Sequence, residues 1–317
     1  MLAWIPRTGV AVALAATTLL SGCWNDSDTD DPTNIVEIAE NDPNLSILSE
    51  AVVAADLTDT LSDEDAALTV FAPTNAAFAA LLAELGITKE ALFADKPLLT
   101  AVLTYHVLGS EVKAAGIPVG QPITTLQGGY FKIDGSPLAI TDGRNRVSGI
   151  TSTDIEASNG VVHVVDKVLL PADKTVVGTA SALAAGDPPE FTLLVEALQV
   201  TGLDATLNGT GPFTVFAPTD AAFADLLTEL GVSKEELFAD TALLSEVLTY
   251  HVVPALVLKA DVPVGTPVVT VQGEAFTVDS SLAITDTQGR EAQITATDVL
   301  ASNGVIHVID KVILPTL

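Results

Sequence analysis

Residues 159–171 read Asn159-Gly-Val-Val-His-Val-Val-Asp-Lys-Val-Leu-Leu-Pro171, and residues 303–315 repeat them as Asn303-Gly-Val-Ile-His-Val-Ile-Asp-Lys-Val-Ile-Leu-Pro315. The differences only exchange Val or Leu for Ile, which changes side-chain volume very little. Asn-Gly favours a tight turn, the β-branched run behind it is typical of a strand, and proline cannot donate to a strand ladder. Because both faces of the run are mostly apolar, we predict a buried strand that is central in its domain.

The duplication extends over most of the chain. His106 matches His251, 145 residues further on, whereas His163 matches His307 at a distance of 144, so one residue is missing from the second copy near Ser280. Each copy has the size of an ordinary domain. We therefore predict domains at residues 34–171 and 172–317, with residues 172–174, at the start of the second, as the only connection.

A second repeated motif predicts a strand followed by a helix. Thr69-Val-Phe-Ala-Pro-Thr-Asn-Ala-Ala-Phe-Ala79 returns at residues 214–224 with Asp220 in place of Asn75. The prolines end the strand, and an N-cap residue must begin the helix behind it. The candidate caps are Thr74 or Asn75 in the first copy and Thr219 or Asp220 in the second.

Later helices and a strand-rich half complete each copy. A helix in each copy reaches Tyr105-His106 or Tyr250-His251, and we expect Gly109 and Pro254 to end it. Gly, Pro, Thr, Val and Ile dominate the remainder of each copy, which predicts short antiparallel strands joined by turns. The pattern indicates an α+β fold.

The N-terminus has the order of an export signal. Arg7 precedes an apolar run over residues 10–20, which is too short to span a bilayer, and Leu-Ser-Gly-Cys follows at residues 20–23. We predict a lipoprotein signal peptide at residues 1–22 and lipid attachment to Cys23, the only cysteine. The alternative is an incidental cysteine in an ordinary signal peptide. Residues 23–33 are predicted to be a flexible acidic tether.

Charge and spacing exclude some ligands. The tether matches part of a calcium loop, from Asp26 to Glu37, but Asp31 stands where the tight turn needs Gly, so we predict no calcium site. The chain has 13 Lys and Arg against 41 Asp and Glu, a formal net charge of −28. Nucleic acid is therefore not an expected partner, and the membrane is expected to be contacted only through the lipid anchor.

Together these residues resemble the fasciclin domain. The Thr69–Ala79 stretch is similar to its first signature, Tyr105-His106 to its central pair and Asn159–Pro171 to its second signature, and all three recur in order in the second copy. The resemblance implies two tandem fasciclin-like domains, each a β-wedge of short strands with helices packed against it. It also implies a role in extracellular adhesion or matrix interaction.

The Tyr-His pairs are the candidate partner-binding residues. In some animal members of the family this neighbourhood is linked to integrin binding, so the resemblance implies a candidate surface at Tyr105, His106, Tyr250 and His251. A tyrosine ring can pack while its polar tip stays at the surface. The alternative interpretation is that both rings only close the end of a core helix.

The other repeated residues are interpreted as structural. They are Pro73, Asn75, Phe78, Asn159, Gly160, His163, Asp166, Pro218, Asp220, Phe223, Asn303, Gly304, His307 and Asp310. His163 and Asp166 would lie on opposite faces of a regular strand and could not chelate one ion, so we predict no metal and no cofactor.

Enzymatic motifs are absent from the sequence. There is no Gly-x-Ser-x-Gly elbow, phosphate loop or dinucleotide fingerprint, and the Ser-x-x-Lys match at Ser110 has no counterpart in the second copy. We therefore predict that the protein is not an enzyme.

Two functions remain after this exclusion. The first is a lipid-anchored adhesion or interaction protein of the cell envelope, which binds an extracellular protein or glycan through both domains. Because Trp24 rather than Asp follows the cysteine, the outer membrane is favoured. The second is a periplasmic ligand-binding or enzyme-accessory lipoprotein with a site in the cleft between the domains.

Overall fold

A computed structural model describes residues 33–316, which belong to one compact unit. The predicted signal peptide, Cys23 and all but the last residue of the predicted tether lie outside the described residues. Within residues 33–316 the longest helices have 11 residues, and none combines the length and the apolar character that a membrane span requires.

The first copy contains six α-helices, a short 3₁₀ helix and seven strands. The helices are α1 (Ile35–Asn41), α2 (Ser46–Ala54), α3 (Thr58–Leu61), α4 (Asn75–Leu85), α5 (Lys89–Ala94) and α6 (Lys96–Tyr105), with the 3₁₀ helix at Ala114–Gly116. The strands are β1 (Leu68–Pro73), β2 (Val107–Leu108), β3 (Pro122–Thr124), β4 (Tyr130–Asp134), β5 (Ala139–Thr141), β6 (Val147–Ala157) and β7 (Gly160–Val165).

The second copy repeats this order. Its helices are α7 (Val176–Ala184), α8 (Thr192–Thr201), α9 (Leu203–Leu207), α10 (Asp220–Leu230), α11 (Lys234–Ala239) and α12 (Thr241–Tyr250), with the 3₁₀ helix at Lys259–Asp261. Its strands are β8 (Phe213–Pro218), β9 (Val252–Val253), β10 (Val268–Val269), β11 (Ala275–Val278), β12 (Ala283–Thr285), β13 (Glu291–Ala301) and β14 (Gly304–Ile309).

Each copy forms one seven-stranded mixed sheet, with the order β2-β1-β7-β6-β5-β4-β3 in the first and the equivalent order in the second. The strand that opens the second signature, β7, pairs in parallel with β1 and antiparallel with β6. Val162 faces the core beneath the helices, and Val165 faces a second core with Phe71 and Phe131. The predicted α+β class and the buried central strand are therefore confirmed.

The central strand is shorter than the motif that predicted it. It ends at Val165 rather than at Pro171, because Asp166 accepts the backbone N–H of Gly149 at 2.8 Å and the following amides turn away from the sheet. The amide of Leu170 donates instead to the carboxylate of Asp142 at 3.0 Å. The strand is entered through a two-residue turn, and a side chain at Gly160 would overlap the carbonyl oxygen of Leu68 on the neighbouring strand.

The threonine, not the residue after it, caps the helix behind the first signature. Thr74 accepts the N–H of Ala77 at 3.2 Å. Asn75 instead reaches the preceding helix: its amide oxygen accepts the N–H of Ile47 at 2.9 Å at the start of α2. Sequence reasoning missed this tertiary cap because it depends on how α2 and α4 pack.

In the second copy a carboxylate, that of Asp220, caps the neighbouring helix in place of the Asn75 amide. Thr219 caps α10, and Asp220 accepts the N–H groups of Thr192 at 3.1 Å and Leu193 at 2.8 Å at the start of α8. The residue before α8, Phe191, supplies no cap of its own. Asn and Asp replace each other here because both offer an acceptor oxygen to orphan N–H groups.

The Tyr-His helices end earlier than predicted. α6 ends at Tyr105 with His106 as its C-cap, and α12 ends at Tyr250, so Gly109 and Pro254 do not end these helices. Val107 leaves the helix because it pairs with Val70 as a short strand at the edge of the sheet. Tertiary pairing therefore stops the helix before its sequence signal does.

We expect Asp220→Ala to lower the free energy of unfolding by about 1–2 kcal/mol, because two N–H groups at the start of α8 lose their acceptor. Asp220→Asn, which copies the first domain, should cost less because one acceptor oxygen remains. Urea unfolding of both variants tests this. Asp225→Ala on the exposed side of the same helix is the control and should change little; equal losses in Asp220→Ala and Asp225→Ala would contradict the assignment.

Candidate functional site

The Tyr-His pairs are buried in both copies. The relative exposure is 0% for Tyr105 and Tyr250, 1% for His106 and 2% for His251. Their side chains do not reach the surface, which favours the alternative interpretation that the rings close the end of a core helix. The physical reason is that the helix ends beneath the sheet, where each ring completes a core.

Each tyrosine hydroxyl supports a strand instead. Tyr105 donates to the backbone carbonyl of Tyr130 at 2.7 Å, and Tyr250 donates to that of Ala275 at 3.2 Å. Phe131 packs edge-on against Tyr105, with ring centroids 5.9 Å apart. Burial raises the pKa of the Tyr105 hydroxyl, so the hydroxyl remains a donor. Tyr105 therefore fixes the position of β4, and Tyr250 that of β11.

His106 and His251 connect two backbone segments. In each, Nδ1 donates to the carbonyl four residues earlier at 2.7 Å, while Nε2 accepts a backbone N–H, from Leu169 at 2.8 Å or from Ile313 at 3.1 Å. A nitrogen that accepts a hydrogen bond must be unprotonated, so both rings are neutral. Burial lowers the pKa of both His106 and His251 to about 4.

His163 and His307 make a second connection with the opposite tautomer. Nδ1 of His163 accepts the N–H of Asp154 at 3.2 Å, and Nε2 donates to the carbonyl of Val112 at 2.9 Å. His307 bonds Asp298 and Val257 in the same way, and burial lowers its pKa. The aspartate held by each histidine has positive φ, 58° at Asp154 and 61° at Asp298, and lies at an irregularity of the strand pairing.

Within the described residues, no group of three His, Cys, Asp or Glu side chains is placed to hold a metal ion. Asp166 bonds Gly149 and Ser148, not His163. The asparagine of the second signature is also committed to the backbone. Asn159 accepts the N–H of Ile35 at the start of α1 at 3.0 Å and donates to the carbonyl of Leu61 at 2.8 Å.

The sequence analysis did not identify an Asp-x-x-x-Arg motif that occurs in both copies, as Asp142 with Arg146 and as Asp286 with Arg290. Asp142 is buried, and its carboxylate accepts the N–H of Leu170 and lies 3.4 Å from Nε of Arg146. Burial raises the pKa of Asp142, against the lowering effect of these bonds. Asp286 accepts the N–H of Leu314 in the second copy, and the Asp-x-x-x-Arg spacing was the available signal.

The two copies contact each other through apolar and polar side chains. The Tyr130 ring of the first copy packs against Leu258, Leu300 and Val305 of the second. Its hydroxyl donates to the carbonyl of Gly304 at 2.6 Å. Tyr105 therefore acts on this contact indirectly, because it holds the backbone of Tyr130.

Two further side chains of the first copy complete the contact. The Lys132 ammonium lies 2.8 Å from both Asp134 and Asp298. Burial alone would lower the pKa of Lys132, but the two carboxylates outweigh it and the pKa is raised. Asn145 pairs with both backbone groups of Leu300, accepting its N–H at 2.6 Å and donating to its carbonyl at 3.0 Å.

A groove of about 560 Å³ runs beside this contact, lined by residues of both copies. Arg144, Arg146 and Lys174 lie along it, three of the twelve Lys and Arg in the described chain. Asp173 pairs with Arg144 at 3.2 Å and with Lys174 at 3.3 Å. Glu84, also in the lining, lies 3.3 Å from Arg146, so three cations stand against two carboxylates along the groove.

A family model described as "Fasciclin domain" matches residues 43–171 and again residues 189–315. The chain belongs to the fasciclin domain family. The two fasciclin domains thus cover most of the described residues, and the tyrosines, histidines and asparagines above lie inside the matches.

Named relatives occur in bacteria and animals. Protein sll1483 of Synechocystis is 41% identical over 165 residues, which is 51% of this chain and 87% of that protein. Human periostin is 29% identical over 296 residues, 89% of this chain but only 31% of its own length. Pig transforming growth factor-beta-induced protein ig-h3 is 28% identical over 249 residues, 78% of this chain and 34% of its own length. The chain therefore spans about a third of each animal relative.

A solved structure of a FAS1 domain pair, from the insect cell adhesion molecule Fasciclin I, is also similar. The TM-score is 0.42 and the identity 19%, over 89% of this chain and 95% of that one.

We expect acid to destabilise these fasciclin domains through His106 and His251. The unfolded chain takes up each proton near pH 6.5 and the folded chain only near pH 4, so the unfolded state binds more protons in between. The contribution of each neutral histidine to the free energy of unfolding is therefore fully present above pH 6.5. It is lost as the pH decreases toward 4, by about 3 kcal/mol for each histidine.

Urea unfolding of wild type and His251→Gln at pH 7 and pH 5 tests this, because carboxylate effects are common to both proteins. The variant should be less stable at pH 7 but should lose less on acidification. An identical pH dependence in the two proteins would contradict the assignment.

We expect Tyr105→Phe to lower the free energy of unfolding by about 1 kcal/mol, because the carbonyl of Tyr130 loses a hydrogen-bond donor. Adhesion of cells that carry the variant should stay at the wild-type level, since the ring is buried. Denaturation curves and an attachment assay measure the two effects separately. Loss of attachment with unchanged stability would restore the tyrosine as a contact residue.

Proposed function

We propose that the chain is an adhesion or interaction protein of the cell envelope, anchored by lipid at Cys23, that binds an extracellular protein or glycan through its two fasciclin domains. The observation that carries this proposal is the tandem itself, because the family matches twice and fasciclin domains are associated with cell adhesion in homologues. Weak binding by each domain is strengthened when two linked domains bind together, without any new contact.

The contact between the domains supports this role. Tyr130, Lys132 and Asn145 hold the second domain against the first, so both present their outer surfaces in one arrangement. Because the two binding surfaces are already held in one arrangement, less entropy is lost when both bind one partner. Since the Tyr-His rings are buried, the partner must contact other residues of each domain.

The first test concerns lipid attachment at Cys23. We expect wild type to fractionate with membranes and to incorporate labelled fatty acid, and Cys23→Ser to do neither, because the sulfur that carries the lipid is gone. Ser27→Ala in the tether is the matched control and should behave as wild type. Membrane association and processing that survive Cys23→Ser would overturn the anchor.

The second test concerns adhesion by the domain pair. Cells that lack the protein should attach less to an extracellular matrix or glycan surface than cells that carry it. A triple variant, Tyr130→Ala, Lys132→Thr and Asn145→Gly, should reduce attachment by roughly tenfold or more, because the domains are no longer held together. Attachment is measured at equal surface amounts of folded protein. Unchanged attachment after complete deletion would contradict the adhesion role.

The groove between the domains favours a second candidate, a periplasmic ligand-binding protein. Small-molecule sites are commonly found at domain junctions, and the cations of Arg144 and Lys174 suit an anionic ligand such as an acidic sugar. Calorimetry with oligosaccharides of uronic acids tests it. Binding that is lost in Arg144→Ala with Lys174→Ala, and retained in the control Lys96→Ala, would support this function, whereas absence of binding would leave adhesion as the proposal.

A further inference from the structure

The two fasciclin domains meet through different faces. The first domain supplies Tyr130, Lys132 and Asn145, on β4 and the turn between β5 and β6, which we call the donor face. The second supplies an acceptor face, formed by Leu256, Leu258, Asp298 and Leu300, on β13 and the segment before its 3₁₀ helix. Both domains have the same fold, so each has both faces. A contact between unlike faces continues head to tail to another copy unless a free face is blocked.

The acceptor face of the first domain carries different residues. Glu111, Lys113 and Glu156 occupy the positions of Leu256, Leu258 and Leu300. Leu258 and Leu300 are 0% and 1% exposed, whereas the side chains of Lys113 and Glu156 are 50% and 75% exposed. Lys113 and Glu156 form a salt bridge of 2.6 Å where the two leucines pack in the second domain. A Tyr130-like ring placed there would meet charges instead of an apolar pocket.

The donor face of the second domain is also changed. Ala275, Thr277 and Gly289 occupy the positions of Tyr130, Lys132 and Asn145. Alanine has no ring or hydroxyl for the apolar pocket, threonine has no cation for the aspartate, and glycine has no amide for the backbone of the partner strand. All three anchors of the contact are therefore missing from this face.

Neighbouring positions that serve both domains alike are unchanged. Asp154 matches Asp298 and bonds a backbone N–H in the same way, and Val161 matches Val305 with both side chains at 0% exposure. The copies thus differ at the anchors that serve only the contact between domains, and agree at contact positions that each domain also needs for its own fold.

From this asymmetry we infer that the domain contact is a head-to-tail interaction that the sequence limits to two domains. The occupant that fits each face is the complementary face of another fasciclin domain of this chain, and the residues at both free ends prevent a second copy from adding. This inference does not depend on the proposed function.

Full-length variants that restore the free faces test it. The donor variant carries Ala275→Tyr, Thr277→Lys and Gly289→Asn, and the acceptor variant carries Glu111→Leu, Lys113→Leu and Glu156→Leu. Asparagine suits position 289 because Gly289 has φ 77°, close to the 61° of Asn145, and no atom lies within 4 Å of a side chain added there. Sedimentation over a range of concentrations measures the mass of each protein.

Each variant has one restored face and one blocked face, so the expected results are specific. Wild type, donor variant and acceptor variant alone should keep the mass of one chain. An equimolar mixture of the two variants should reach twice that mass and stop, because only one restored pair of faces exists. A chain with all six substitutions should form oligomers that grow with concentration.

Two results would overturn the inference. One is a mixture that keeps the mass of one chain while both variants retain wild-type circular dichroism and melting. The other is an acceptor variant that associates alone as strongly as the mixture, which would show unspecific attraction between leucines.

A second variant removes anchors instead of restoring them, so it tests the inference even if a restored face impairs folding. Tyr130→Ala, Lys132→Thr and Asn145→Gly turn the donor face of the first domain into that of the second. Hydrogen exchange at the amide of Leu300, which donates to Asn145 at 2.6 Å, should then become faster, whereas the amide of Phe216 inside the second domain should not change. An unchanged rate at Leu300 would contradict the role of these anchors.

Discussion

Each domain depends on one parallel strand pairing, β1 with β7 in the first and β8 with β14 in the second. It joins the two motifs that are most alike in the two copies, and the register runs from Leu68 opposite Gly160 to Pro73 opposite Val165. Such a pairing between distant segments needs a close approach of two backbones, which the glycine permits. The helices on one face and the strand wedge on the other then pack against the same two strands. The similarity of the motifs therefore follows from backbone geometry.

Polar side chains hold the rest of the backbone in place. His106, His163, Asn75 and Asn159 each bond main-chain groups from distant segments, and every buried side-chain nitrogen or oxygen in the described residues has a partner. A buried polar group that bonds the main chain specifies one backbone path, because any other path leaves it unsatisfied. This explains why the histidines lie in the signatures: each holds distant backbone segments together.

Local patterns in the sequence predicted the elements well, but they could not predict what the elements meet. The buried strand of the second signature and the strand-to-helix change behind Pro73 are local features, and the structure contains both. The cap from Asn75 to α2 and the buried state of Tyr105 depend on packing between segments distant in sequence, which periodicity does not encode. Family resemblance also pointed to the Tyr-His pair, yet burial assigns it to the core.

The acidic net charge opposes contact between domains, whereas the covalent link between the two domains of one chain favours it. Two separate chains, each with a formal net charge of −28, repel each other, whereas two domains of one chain are joined through residues 172–174 at a high effective concentration. A contact with few anchors is therefore favoured more strongly inside the chain than between chains. Lys132 places a cation beside the Asp298 carboxylate and so reduces the repulsion between the two acidic domains at their contact. The acidic surface and the copy-specific anchors thus favour the same state, in which the domains of one chain pair with each other and not with those of its neighbours.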